Sequence, residues 1–120
     1  MKIVFRILVL SISISCLSQI SLAQDPAKQS PDKYKIILDN SRVRVLDVRL
    51  KPGDKSPMHG HPDYVIYGLN GGKVRFTDAK GKTSEMSIKP GQCAFRRGEK
   101  HAVENIGKTT LHVLNVELKG

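Results

Sequence analysis

The sequence predicts an all-β domain, either a sandwich or a closed barrel. Short runs of alternating apolar and polar residues follow one another from residue 34 to the end of the chain. Gly, Pro, Asn and Asp separate these runs at regular intervals, as expected for turns between strands. Hardly any segment has the 3.6-residue period of an amphipathic helix. Together these three observations are typical of many short strands in one sandwich or barrel.

Residues 1–23 have the pattern of a secretory signal peptide. Lys2 precedes an apolar stretch, and the small residues Ser21 and Ala23 fit a cleavage site. The stretch is shorter and richer in serine than the roughly 20 apolar residues of a membrane span. The sequence therefore predicts an exported protein, periplasmic or secreted, with no membrane segment in its mature form. A lipid anchor on Cys16 is the alternative, although Ser13 stands where a lipobox has a branched apolar residue.

The predicted mature chain, residues 24–120, is long enough for one small domain. Residues 24–33 contain Pro26 and Pro31 and show no apolar periodicity. This composition predicts a flexible lead-in, followed by a folded domain over residues 34–120.

The strands and turns of this domain follow in order. A change of the apolar phase between Val45 and Leu46 indicates a β-bulge in the second strand. Asn70-Gly71-Gly72 is predicted to form a hairpin, and Lys80-Gly81 to join the next two strands. Strands are predicted at residues 34–38, 43–50, 64–69, 73–77, 82–88, 92–96, 101–105 and 110–118, with a further strand through the histidine pair described below.

Charge and cysteine content narrow the functional classes. The whole chain has a net charge of +9, and loss of Lys2 and Arg6 with the leader would leave +7. The basic residues alternate with apolar or acidic ones instead of forming a block, which argues against a nucleic-acid partner.

Cys93 is the only cysteine of the predicted mature chain, so it cannot form an internal disulfide. It is expected to be a small buried residue.

A His-x-His pair, with a third histidine about forty residues later, is the main functional signal. Side chains two apart on a strand point to the same side, so His59 and His61 share one face while Gly60 keeps the other face clear. His101 is expected on a neighbouring strand. Three neutral imidazoles can hold a divalent transition metal (Fe, Zn, Ni, Mn or Cu) and leave a coordination position for water or substrate. The sequence therefore predicts an open metal site.

These residues resemble the two motifs of the cupin superfamily. The first motif is Gly, five residues, His-x-His, three or four residues, Glu, six residues, Gly; it is matched by Gly53, His59, His61 and Gly72. The second is matched by Gly91, Gly98, His101 and Asn105, with Arg96 in the place of its Pro and its first spacer one residue short. The resemblance covers residues 43–119 and implies a small single-domain cupin β-barrel of the jelly-roll type. The segments that begin at Ser56 and His101 are also similar to small cupins associated with β-alanine degradation.

The chain departs from the first motif at Val65, which stands in the place of its Glu. No carboxylate is available there as a fourth ligand, so a bound metal would keep its double positive charge and favour an anionic ligand. Three-histidine cupins include thiol and diketone dioxygenases. The resemblance thus implies a metal-dependent oxidoreductase, a dioxygenase, that acts on a small anionic molecule. The alternative is a non-catalytic cupin module that binds a metal or small ligand. The lack of a clear general base argues against a specific hydrolase or isomerase. The resemblance also implies a homodimer.

Further residues are candidates for the pocket around the metal. His112 shares its phase with Leu114, which predicts an inward side chain; a role beside the metal or in proton transfer and a hydrogen-bonded rim position stay equally open. Arg96 either attracts an anionic substrate or is a solvated charge on the rim. Tyr64 and Tyr67 either line the cavity or pack within their strand. The predicted pocket residues are Tyr64, Val65, Tyr67, Arg96 and His112.

Overall fold

A computed structural model describes residues 24–120 and confirms the all-β prediction. The predicted signal peptide and Cys16 lie outside the described residues. Each strand predicted from the sequence is present, with ends that differ by at most two residues. In chain order the elements are α1 Pro26–Gln29, β1 Tyr34–Asp39, β2 Val43–Leu50, β3 Lys55–His61, β4 Tyr64–Gly68, β5 Gly72–Asp78, β6 Thr83–Ile88, β7 Cys93–Arg96, β8 Glu99–Asn105 and β9 Leu111–Leu118. Within this part of the chain, no helix is long and apolar enough to cross a membrane.

The strands form two antiparallel sheets that pack face to face as a jelly-roll barrel. The five-stranded sheet has the order β1-β2-β9-β4-β7, and the four-stranded sheet has the order β3-β8-β5-β6. Alternate side chains of both sheets point inward and exclude water from the space between them. The buried apolar core consists of Tyr34, Leu46, Val48, Leu50, Tyr64, Ile66, Val74, Phe76, Ile88, Val103, Leu111 and Val113.

One row of the five-stranded sheet carries polar side chains inward. Strand register places Arg44 of β2 beside Glu117 of β9, Glu117 beside Tyr64 of β4, and Tyr64 beside Arg96 of β7. We call these four residues the polar layer. Because Leu46 and Ile66 follow at the next inward positions of β2 and β4, the polar layer lies next to the apolar core. The barrel interior therefore has a polar end and an apolar end.

The predicted hairpin at Asn70-Gly71-Gly72 is wrong. β4 pairs with β7 and β9, whereas β5 pairs with β6 and β8, so this turn carries the chain from one sheet to the other. The amide nitrogens of Leu69 and Asn70 both donate to the carbonyl of His112, which holds the turn against β9 and not against β5. The predicted connection at Lys80-Gly81 is confirmed as a β5–β6 hairpin, in which Gly81 has a φ of +83°.

The bulge lies on a different strand from the one predicted. β2 keeps a single phase, with Leu46, Val48 and Leu50 buried. The register shift occurs in β1, between Ile36 and Leu38, opposite Leu46 and Val45 of β2. Val45 is apolar but points outward, and this made the phase of β2 appear to change.

Residues 24–33 are not the flexible lead-in that their composition predicts. Asp25 caps α1 by accepting a hydrogen bond from the amide of Ala27 at 3.0 Å, and Pro26 occupies the first turn, where a missing N–H costs nothing. Pro26 and Ser30 are buried. The Gln29 side chain donates to the carbonyl of Met58 on β3 at 3.1 Å. Tertiary contacts therefore give this short polar segment a fixed position.

Cys93 is also placed differently from the expectation. It begins β7, an edge strand of the five-stranded sheet, and its side chain is exposed. In β7 the inward positions are Ala94 and Arg96, so alternation places Cys93 and Phe95 outside.

Candidate metal centre

Three buried histidines converge between the sheets. His59 of β3 lies directly opposite His101 of β8, and His61 follows two residues later on the same face of β3. The ring centroid of His59 is 4.8 Å from the ring centroid of His61 and 4.8 Å from that of His101. The centroids of His61 and His101 are 5.2 Å apart. One nitrogen of each ring lies within 4.8 Å of the other two. The exposed fractions are 0% for His59 and 3% for the other two.

Neighbouring groups orient each ring. The Nδ1 of His59 lies 2.9 Å from the carbonyl oxygen of Pro57 and 3.0 Å from Ser56 Oγ. A carbonyl only accepts, so Nδ1 carries the proton and Nε2 keeps its lone pair. That Nε2 is buried and has no hydrogen-bond partner among the described residues. A buried nitrogen without a partner is costly, and a metal ion would satisfy it.

A carboxylate lies beside each of the other two rings. The Nδ1 of His61 is 2.7 Å from Glu117 Oε2. The Nδ1 of His101 is 2.7 Å from Glu99 Oε1, although this contact is too bent for a hydrogen bond. Carboxylates that accept a proton from a histidine fix its tautomer and raise its basicity as a ligand. Glu117 does this for His61, and Glu99 is close enough to do so for His101 after a small rotation.

Each carboxylate is in turn paired with an arginine of the polar layer. Arg44 Nε lies 2.6 Å from Glu117 Oε1, and Arg96 lies 2.8 and 3.0 Å from the two oxygens of Glu99. The Tyr64 hydroxyl also donates to Glu99, at 3.0 Å. Burial raises the pKa of Glu99, but the close contact with His101 and the hydrogen bonds from Arg96 outweigh it and lower the pKa to about 2. Burial likewise opposes ionisation of Glu117, whose pKa is nevertheless lowered by His61 and Arg44.

The protonation states suit a metal site. Burial and the charges of His61 and His101 lower the pKa of His59 to about 3. Burial also lowers the pKa of His101, against the opposing effect of Glu99. These rings are neutral at physiological pH, as ligand histidines must be. The neutral nitrogen donors and the unpartnered Nε2 of His59 fit a divalent transition metal.

Comparison with known proteins agrees with this architecture. The family model of the cupin domain matches residues 46–117. The chain belongs to the cupin family. No curated protein matches it.

This cupin is similar to several solved structures. A cupin domain from Bordetella pertussis Tohama I is 27% identical, with a TM-score of 0.66 over 72% of this chain and 92% of that one. A protein with a double-stranded β-helix domain from Klebsiella pneumoniae is 19% identical, with a TM-score of 0.58 over 73% and 78% of the two chains. The polyketide cyclase RemF from Streptomyces resistomycificus is 24% identical, with a TM-score of 0.53 over 72% and 64%. The last two likenesses show the fold alone.

Two of the five predicted pocket residues of this cupin lie near the three histidines. Tyr64 is buried and stacks on His61, with ring centroids 4.5 Å apart. Arg96 lies at the rim, where its guanidinium is 4.3 Å from the centre of the Phe76 ring. Phe76 in turn stacks on His101 at 4.9 Å. Tyr64 and Arg96 therefore contact the groups that surround the histidines.

Val65, Tyr67 and His112 do not line the pocket. Val65 and Tyr67 alternate with the buried Tyr64 and Ile66, and Tyr67 is 40% exposed. His112 alternates with the buried Leu111 and points outward, where its Nε2 lies 3.0 Å from Asp47. The inward direction predicted for His112 is wrong, because both faces of β9 carry apolar residues and alternation alone does not identify the inner one.

Glu99 and Glu117 were not predicted as functional residues from the sequence. Glu117 shares the inward phase of β9 with Leu111 and Val113, and a charged residue in a buried phase is a signal that could have identified it. Glu99 stands two residues before His101 on β8, and this spacing, which puts both side chains on one face, is a signal that could have identified it.

The space around the histidines has an inner and an outer part. The inner cavity is about 30 Å³, large enough for water only, and is lined mostly by core side chains together with His61 and His101. The outer cleft, about 300 Å³, opens on the other side of His101. We call it the His101 cleft; it is lined by Phe76, Asp78, Lys82, Thr83, Ser84, Arg96, Glu99, Lys100 and His101.

Proposed function

We propose that this cupin binds one divalent transition metal through His59, His61 and His101 and uses it to bind a small anionic molecule. The observation that carries the proposal is the convergence of three buried imidazoles on one point, with the Nε2 of His59 lacking a hydrogen-bond partner among the described residues. No carboxylate of the polar layer or of β8 is needed as a ligand. Glu117 and Glu99 instead hold the rings.

The charges around the site support an anionic ligand. Three neutral ligands leave the full charge of the metal uncompensated within the first coordination sphere. Lys82, Lys100 and Arg96 line the His101 cleft, so its positive side chains outnumber Asp78 and Glu99. Similarity to cupins associated with β-alanine degradation agrees with a small carboxylate as the ligand. The His101 cleft has the volume for such a molecule, whereas the inner cavity does not.

We propose oxidoreductase activity, in the form of a dioxygenase, as the reaction class. A bound iron would supply Lewis acidity and redox chemistry with dioxygen. Arg96 and the lysines of the His101 cleft would orient the anion, while the Phe76 ring covers one face of His101 and keeps water away from it. Oxygen uptake by the iron-loaded protein with small thiols, diketones and carboxylates tests this class. No uptake with any of them would favour a non-catalytic binding module, which the small inner cavity also favours.

Metal analysis tests the site itself. We expect about one equivalent of metal per chain in the wild-type protein and a loss of at least about tenfold in His101→Ala, because one of three ligands is removed. His112→Ala is the matched control, since His112 lies on the outer face beside Asp47. Equal metal content in all three proteins would refute the ligand assignment, and so would equal loss in both variants.

We also propose that the protein is exported and forms a homodimer. The leader pattern of residues 1–23 supports export. A row of apolar side chains on the outer face of the five-stranded sheet supports the dimer. Register places Val45, Val116, Val65 and Phe95 side by side across four strands, and Phe95 is 60% exposed. We call these four residues the outer apolar row.

A further inference from the structure

A continuous chain of charged contacts links the first helix to a proposed metal ligand. Arg44 Nη1 and Nη2 lie 2.8 and 3.1 Å from the two carboxylate oxygens of Asp25. The third nitrogen of the guanidinium, Nε, lies 2.6 Å from Glu117 Oε1. The second oxygen of Glu117 lies 2.7 Å from His61 Nδ1. Every polar atom along this path therefore has a partner.

These contacts are shielded from solvent. The exposed fractions of the side chains are 14% for Asp25, 16% for Arg44, 3% for Glu117 and 1% for His61. Water and salt therefore screen the attraction between these charges only weakly. The bidentate contact of Arg44 with Asp25 fixes the plane of the guanidinium. Arg44 consequently holds Glu117 in one orientation.

The outer members of this chain of contacts lie outside the part of the sequence that the family shares. The cupin family model begins at residue 46, whereas Asp25 and Arg44 precede it. Asp25 is also the N-cap of α1, and the same helix reaches β3 through the bond from Gln29 to the carbonyl of Met58, next to His59. The segment before the shared domain thus contacts β2 through Asp25 and β3 through Gln29.

We infer that Asp25 and Arg44 are positioning residues for the metal centre, acting through Glu117 on His61. This inference rests on the proposed function. Arg44 occupies one oxygen of Glu117 and directs the other to Nδ1 of His61, so that the proton stays on Nδ1 and Nε2 keeps its lone pair for the metal. Without Arg44, the buried Glu117 would have an unpaired charged oxygen and would turn toward any remaining donor or toward water.

Arg44→Met tests this inference, because methionine keeps much of the side-chain length but removes the charge and the donors. Arg49→Met is the matched control: Arg49 lies on the same strand, is largely exposed and pairs only with Asp47 among the described residues. Asp25→Asn is a milder variant, since Asn also caps helices well and keeps one acceptor oxygen, while the charge and the second acceptor for Arg44 are lost. Zn²⁺ affinity is measured by competition with a chromophoric chelator, and the stability of the metal-free proteins by urea unfolding.

We expect Arg44→Met to bind Zn²⁺ at least about tenfold more weakly than wild type, Asp25→Asn to change in the same direction by less, and Arg49→Met to stay within about twofold. A second readout needs no metal: ¹⁵N NMR of the metal-free protein reports which nitrogen of His61 is protonated. Wild type should show the proton on Nδ1, and Arg44→Met a mixture. A purely structural role would lower urea stability but leave both the tautomer and the affinity of the folded protein unchanged.

The outcomes separate the two proposals. If wild type fails to bind Zn²⁺ or any other divalent transition metal, the proposed function is wrong, and the His61 tautomer in Arg44→Met still decides whether Arg44 positions that ring. If wild type binds Zn²⁺ and Arg44→Met matches it in affinity and tautomer, the positioning role is overturned while the metal site stands.

Discussion

At the scale of single residues, the buried polar side chains of this cupin are defined by their partners. His59, His61 and His101 are the same residue type, yet one is held by a carbonyl and a hydroxyl and the other two lie beside carboxylates. The sequence identified all three as candidate ligands. Only Glu117, the partner of His61, comes from a strand that is distant in sequence, whereas the groups beside His59 and His101 lie two or three residues away on the same strands.

The buried side chain of Asn105 is expected to stabilise the fold through its hydrogen bonds. Its side-chain nitrogen donates to the carbonyls of Leu50 and Thr109, and its oxygen accepts from the amide of Gly107. Asn105→Ala leaves three polar groups without this partner, so we expect urea unfolding to show a loss of about 2 to 4 kcal/mol. Asn70→Ala is the control and should cost less than about 1 kcal/mol, because its hydrogen bonds are exposed to water. Equal losses would contradict the role of burial.

At the scale of elements, two short connections decide how the strands are arranged. The turn after β4 sends the chain to the other sheet, and α1 is held against the barrel although it has only four residues. Neither behaviour follows from local propensity, since Asn-Gly sequences favour hairpins and isolated four-residue helices are unstable in water. Packing against β9, β2 and β3 provides the missing stabilisation.

The end of β4 is sensitive to any side chain larger than glycine. A Cβ on Gly68 would lie 2.6 Å from the carbonyl oxygen of Lys89 and 2.7 Å from a methyl group of Ile88. We expect Gly68→Ala to lower the free energy of unfolding by about 1 to 3 kcal/mol, because backbone atoms must move. Gly71→Ala, whose Cβ would meet its neighbours at 3.5 Å or more, should have a smaller effect. Thermal unfolding of both variants checks this, and the reverse order would contradict it.

Docking of α1 should depend on pH through Asp25. Burial raises the pKa of this carboxyl, but the hydrogen bond and charge of Arg44 outweigh burial, and the pKa lies below its ordinary value of 3.8. A carboxyl with a lowered pKa in the folded state stabilises the fold above its unfolded pKa and loses that contribution as pH falls through the folded pKa. The docked helix should therefore persist at pH 5 and loosen only as the pH falls below the ordinary aspartate value of 3.8.

The amide NMR signal of Ala27, which donates to Asp25, reports this transition. Asp25→Asn has no carboxyl to protonate at this position and serves as the control. An unchanged pH midpoint for the Ala27 signal in that variant would show that another group controls the docking.

At the scale of the whole molecule, both faces of the five-stranded sheet carry apolar residues. The inner face forms the core, and the outer face carries the outer apolar row as well as the exposed Tyr67. An apolar outer face explains both errors of phase in the sequence analysis, the bulge assigned to β2 and the inward direction assigned to His112. It also provides a surface that a second copy of the chain would cover.

Phe95→Glu tests this surface. The substitution places a charge in the outer apolar row, so we expect light scattering after size-exclusion chromatography to show a dimer for wild type and a monomer for the variant. Thr83→Glu, at an exposed position of β6 in the other sheet, should remain dimeric. A monomeric wild-type protein would refute the proposed homodimer, and a dimeric Phe95→Glu would place the interface elsewhere.

Local pattern was sufficient for the features that depend on neighbouring residues. Strand positions follow from alternation and turn residues, and His59 and His61 share a face because two residues separate equivalent positions on a strand. The pairing of His101 with His59 agrees with the cupin motifs. The fold class and the three candidate ligands could therefore be predicted before any coordinates were considered.

Only the tertiary structure decided which residues surround those ligands. Glu117, Arg44 and Asp25 reach His61 through strand register and through the packing of α1, and these depend on contacts between residues that are far apart in the chain. Alternation could not identify the inward phase where both faces of a sheet are apolar. The sequence by itself determined the candidate metal-binding groups, whereas packing between distant strands determined their burial and the orientation of His61.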